Sequence, residues 1–73
     1  MAENEGGEQI MNIKFSTSGA AFQDEYADTI TNDLYMRSEV VRILKKITKQ
    51  IDDGEDYGSI MDFNGNKIGE WSL

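Results

Sequence analysis

The most constraining feature of this 73-residue chain is one apolar stripe: Met36, Val40, Ile43, Leu44, Ile47 and Ile51 recur at helical spacing. Residues at i, i+4, i+7, i+8, i+11 and i+15 fall on one side of an α-helix, so the stretch from about residue 32 to residue 53 is predicted to be a single amphipathic helix. Thr31, Asn32 and Ser38 are the candidate N-caps, each offering a side-chain oxygen to free backbone amides. Gly54 directly after Asp52-Asp53 predicts the stop, because glycine takes the left-handed conformation that ends a helix without steric cost.

Around that helix the pattern changes to a period of two. In 11–16 the apolar residues Met11, Ile13 and Phe15 alternate with Asn12, Lys14 and Ser16, a strand with one face on a core. The C-terminal stretch carries two strand-like runs around Asn64-Gly65, which predicts a β-hairpin. With Asn64-Gly65 as a two-residue loop, Phe63 faces Asn66, Asp62 faces Lys67 and Met61 faces Ile68. That register places Met61, Phe63 and Ile68 on one face and Ile60, Gly69 and Trp71 towards the other, and one helix covers only one of them. Residues 16–31 lack a clean period, and Phe22, Tyr26 and Ile30 are expected to anchor this connection to the core. Residues 1–10 are acidic and glycine-containing, a composition that buries too little surface to offset its ordering entropy, and are expected to form a disordered tail. The expected architecture is therefore α+β: a three-stranded antiparallel-type sheet with one helix packed on it, in the order β-α-β-β over 11–73. A core drawn from so short a chain is small, and homodimerisation through the second sheet face or a strand edge is one expectation.

Composition narrows the chemistry. The chain has no histidine, cysteine or proline, so a thiolate nucleophile, an imidazole base, a disulfide framework and an ordinary zinc site are all outside its repertoire. Its glycines form no phosphate-cradling pattern, and Asp62-Phe-Asn64-Gly65-Asn66 places glycine and the last ligand position wrongly for a calcium loop. No cofactor, metal site or enzymatic activity is expected. No apolar run approaches membrane-spanning length and 1–9 lack the charge and apolar order of a secretion signal, which makes the cytoplasm the expected compartment and a membrane an unexpected partner.

Fourteen acidic against seven basic residues give a net charge of −7, unevenly spread. Arg37, Arg42, Lys45, Lys46 and Lys49 make the helix basic, with Glu39 the one acid among them. Two acidic clusters bracket it, Asp24/Glu25/Asp28/Asp33 and Asp52/Asp53/Glu55/Asp56. Cations towards a helix C-terminus complement its dipole, so a solvated face is the simple account of the lysines, and direct nucleic-acid binding is not favoured. Spaced carboxylates suit a basic surface on another protein, such as one that ordinarily holds nucleic acid. The candidate partner-binding residues are Asp24, Glu25, Asp28, Asp52, Asp53, Glu55 and Asp56 for steering, with Ile60 and Trp71 as exposed apolar contacts.

The opening I-K-F-S-T-S-G-A-A-F over 13–22, the helix ending Ile51-Asp52-Asp53-Gly54, and the closing I-M-D-F-N-G-N-K-I-G-E-W over 60–71 resemble a group of small proteins of unknown function encoded by phages and prophages, with a terminal N-G-N-x-[IV]-G-x-W hairpin. The resemblance covers about 12–73, and this chain departs from the pattern by a longer insertion around 26–35. It implies an accessory protein that binds a host protein in the host cytoplasm, in the manner of anti-CRISPR or anti-restriction inhibitors. The alternative is a self-assembling structural or regulatory module without catalysis.

Overall fold

The computed structural model describes residues 9–23 and 28–73. It contains β1 (Asn12–Phe15), a single 3-10 turn at Ala20–Phe22, α1 (Thr29–Asp52), β2 (Tyr57–Met61) and β3 (Lys67–Ser72). The three strands form one sheet in the order β1-β3-β2, both pairings antiparallel. The expected α+β architecture is the observed one. Of the expected tail, 1–8 lie outside the described residues, and Gln9 and Ile10 precede β1 in the open.

The helix starts earlier than its stripe suggests. Asp28, not Thr31, Asn32 or Ser38, is the N-cap, and its carboxylate accepts the Thr31 N–H at 2.7 Å. That hydrogen bond, first among the causes, holds the Asp28 carboxyl below its ordinary pKa. At the other end the expectation holds. Gly54 has φ +97, its N–H reaches the Ile51 carbonyl at 3.0 Å, and the Glu55 N–H reaches the Gln50 carbonyl at 3.0 Å. This paired closure satisfies two of the carbonyls that a helix end leaves without partners.

The sheet register sorts side chains cleanly. Ile13, Trp71 and Gly58 make one cross-strand row and Phe15, Gly69 and Ile60 the next; these rows face α1, where Ile60 and Trp71 are buried with Ala21, Phe22, Ile43 and Ile47. The alternate rows, Asn12-Ser72-Tyr57 and Lys14-Glu70-Ser59, form the outer face. That face is polar, with Lys14 and Glu70 across from one another. The expected second apolar sheet face is thus corrected: Ile60, Gly69 and Trp71 share a face in the expected register, but it is the face that α1 covers, and the pairing differs only at the turn end of the hairpin. Met61 pairs with Lys67, not Ile68, and the ladder is irregular between Ile60 and Met61. The loop holds three residues instead of two: the Asp62 N–H donates to the Asn66 carbonyl at 2.9 Å, the Gly65 N–H to the Asp62 carbonyl at 3.0 Å, and Gly65 has φ +85. Asp62 dictates this, since its buried carboxylate accepts the backbone N–H of Asn64 at 3.0 Å and of Asn66 at 2.9 Å. The residue left without a partner is Ile68, which packs against the core from the bulge.

In the connection, Phe22 is fully buried as expected. Ile30, also expected as an anchor, is exposed, because the helix already begins at Thr29 and carries it on an outward side. Tyr26 lies outside the described residues.

Two polar contacts fasten α1 to the hairpin. Glu39, only 6% exposed, accepts from Arg42 Nε at 2.7 Å and from the second Arg42 nitrogen at 2.9 Å. It also accepts from the Phe63 N–H at 3.0 Å, while Arg42 donates to the Met61 carbonyl at 3.2 Å. About three helical turns on, Trp71 Nε1 donates to Gln50 Oε1 at 2.9 Å. The Arg42 hydrogen bonds, and after them the Phe63 N–H, keep the Glu39 carboxyl below its ordinary pKa although burial pulls the other way.

Two variants test this account. A Cβ at Gly69 would lie against the Lys14 carbonyl and 2.6 Å from Phe15 Cα, so Gly69→Ala is expected to pry β1 from β3, costing about 1–3 kcal/mol in chemical denaturation with faster amide exchange over Asn12–Phe15. Because the Glu39 pKa is lower folded than unfolded, its contribution is complete above the ordinary value of 4.5 and fades as pH falls through the lower folded value. Glu39→Gln should therefore lower stability at pH 7 by about 1–3 kcal/mol, and its loss of stability between neutral and acid pH should be shallower than that of the parent chain.

Candidate functional site

The end of α1 and the start of β2 form an acidic corner. Asp52 closes the helix, Asp53 is the C-cap, and the Gly54 turn brings Glu55 and Asp56 round beside them before the chain enters β2 at Tyr57. All four acids are exposed. Asp53 takes an ion pair from Lys49 Nζ at 3.1 Å; among the described residues, Asp52, Glu55 and Asp56 have no cationic partner. The backbone beneath them is fixed by the helix-closing hydrogen bonds and by the Leu73 N–H, which donates to the Asp56 carbonyl at 2.8 Å. That last bond sets Leu73 beside the acids, next to Tyr57, whose register partner is Ser72. Tyr57 and Leu73 are both largely exposed. The corner thus carries three carboxylates without a cationic partner on hydrogen-bonded backbone, with exposed Tyr57 and Leu73 adjoining it in the chain, a combination suited to a basic surface.

The other expected binding residues are distributed differently. Asp24 and Glu25 lie outside the described residues. Asp28 is exposed, and its carboxylate is occupied in capping α1. Ile60 and Trp71 do not meet a partner: they are 3% and 2% exposed, in the core under α1. Their place on one sheet face is the expected one, since 57–60 pair with 69–72 as a two-residue loop would pair them; the correction is that α1 covers this face.

The helix cations are also less free than their spacing suggests. Arg42 is bound to Glu39, Arg37 Nε to Asp33 at 2.8 Å, and Lys49 to Asp53. Only Lys45 and Lys46, among the described residues of α1, are without a carboxylate partner. The Glu39-x-x-Arg42 spacing was the available signal, a lone acid one turn before an arginine within an otherwise basic and apolar stretch. Tyr57 and Leu73 had weaker signals, an aromatic directly after the acidic cluster and an aliphatic residue beside Trp71.

For small-molecule chemistry the surface offers little relief. A shallow hollow of about 530 Å³ is lined by Asn12, Tyr57, Ser59, Glu70 and Ser72, with Glu70 its only carboxylate. No three carboxylates converge as a metal site among the described residues. No described helix is long and apolar enough to cross a membrane. Comparison with protein-family models, curated proteins and solved structures finds no match to this chain.

The reassignment of Trp71 is directly measurable. Trp71→Ala is expected to cost about 3–5 kcal/mol and to collapse the fold by circular dichroism, whereas Tyr57→Ala and Leu73→Ala should stay within about 0.5 kcal/mol of the parent in chemical denaturation.

Proposed function

We propose that this protein acts by binding another protein, docking its acidic corner on a basic, nucleic-acid-handling surface without catalysing a reaction. The observation that carries the reading is the set of unpaired carboxylates Asp52, Glu55 and Asp56, held on a rigid turn beside exposed Tyr57 and Leu73. Long-range attraction between such a corner and a cationic surface accelerates encounter, and the two apolar side chains supply contact area that charge alone does not. The sequence resemblance to phage and prophage proteins narrows the partner to a host protein in the host cytoplasm, and a CRISPR effector or restriction enzyme has the required basic surface.

Capture from a host lysate on the immobilised chain, with mass-spectrometric identification, tests the reading. The expected partner carries a basic nucleic-acid site, is retained at about 0.1 M salt and is released as screening increases towards about 0.5 M. Glu55→Lys with Asp56→Lys should weaken the complex about tenfold or more without unfolding the chain, since both residues are exposed. Binding that is indifferent both to salt and to these reversals would rule out the acidic corner as the contact.

A further inference from the structure

The helix has a second apolar stripe that the fold does not use. Ile30, Leu34, Val41 and Leu44 are 74%, 62%, 48% and 41% exposed. With Arg37 and Thr48 they follow a four-three-four-three-four spacing, the repeat by which two helices interlock. At 3.6 residues per turn these six positions fall within an arc of about 80°, roughly 110° around the helix from the core-facing residues. The first α1 residue packed on the core is Met36, and before it Tyr35 stands edge-on to Phe63 at 6.5 Å. Two turns of helix have little stability of their own, and these carry two of the most exposed aliphatic side chains of the described residues.

Charge selects what covers the stripe. The start of α1 bears Asp28 and Asp33, while the later part bears Lys45, Lys46 and Lys49. A second copy running parallel would set acid beside acid, base beside base, and like ends of the helix dipoles together. Running antiparallel, it sets Leu34 of one copy level with Leu44 of the other and Arg37 level with Val41, and brings Asp33 and Asp28 to the levels of Lys45 and Lys49. Arg37 does not obstruct this packing, because its head is drawn aside to Asp33 at 2.8 Å, leaving its aliphatic stem on the stripe. We infer that the protein forms a two-fold symmetric dimer in which the α1 helices pack antiparallel through Ile30, Leu34, Val41 and Leu44, complementing the acidic start of one helix with the basic later part of the other. This surface is separate from the acidic corner, which lies beyond the C-terminal end of the stripe.

Sedimentation equilibrium of the full chain, with Leu34→Asp and Val41→Asp analysed separately, tests the inference. The parent is expected to dimerise reversibly, each variant to weaken the dimer by about tenfold or more with an unchanged circular dichroism spectrum, and Tyr57→Asp, on the outer sheet face, to leave it intact. Orientation is read from disulfide formation in this cysteine-free chain: Leu34→Cys mixed with Leu44→Cys should cross-link efficiently, and Leu34→Cys alone should not, since its two copies would stand about 15 Å apart along the axis. A parent chain that stays monomeric at about 1 mM would overturn the inference. So would a dimer lost with Tyr57→Asp but not with Leu34→Asp, or efficient self-linking of Leu34→Cys.

Discussion

A helix lying on a sheet is free to roll about its own axis unless something directional stops it, and here two polar fastenings do. Glu39 and Arg42 bind the tip of the hairpin at Phe63 and Met61, and Gln50 binds Trp71 about 16 Å further along the helix. Apolar contact is non-directional and tolerates small rotations, whereas a buried carboxylate sharing an arginine fork and a backbone amide tolerates very little. The roll of α1 follows from these contacts, and the roll decides which residues are inside. Met36, Val40, Ile43, Ile47 and Ile51 turn to the sheet, and Leu44, although it belongs to the same apolar run in the sequence, turns out.

The sheet shows the same economy. β3 is the central strand, and its two neighbours approach it closely because glycine stands opposite a bulky partner at each critical point. Gly58 leaves room for the indole of Trp71, and Gly69 lets the β1 backbone come in at Lys14 and Phe15. With so few buried side chains, each such approach matters to the whole, as small domains have little apolar surface to spare. The rows of the outer sheet face are polar apart from Tyr57, and the outward stripe of α1 carries exposed Ile30, Leu34, Val41 and Leu44.

This division separates fold from interaction. Three of the five basic residues of α1 are held by nearby carboxylates, while Asp52, Glu55 and Asp56, at and just after its end, have no such partner among the described residues. Placing unpaired charge at the helix exit, on backbone locked by the Gly54 turn, keeps it rigid without disturbing the core. The stripe through Leu34 and Val41 and the corner around Asp56 share no residue, and a two-fold dimer carries two acidic corners related by symmetry.

Local rules were enough for the elements. A 3.6-residue period specified α1, a period of two specified β1, Gly54 marked the helix end, and Asn64-Gly65 marked a hairpin, because each depends on neighbours within one or two turns of chain. The Asp28 cap was equally local but was missed, since the apolar stripe begins two turns after the helix does. Tertiary structure alone decided the rest. Whether Ile60 and Trp71 lie inside or outside depends on which side of the sheet α1 covers, and that is set by its contacts with the hairpin through Glu39, Arg42 and Gln50. Glu39 is buried only because the hairpin tip, 24 residues away, arrives to donate to it. A strand with alternate faces and a helix with two apolar stripes each leave a choice open in the sequence, and it is closed only by contacts between residues far apart in the chain.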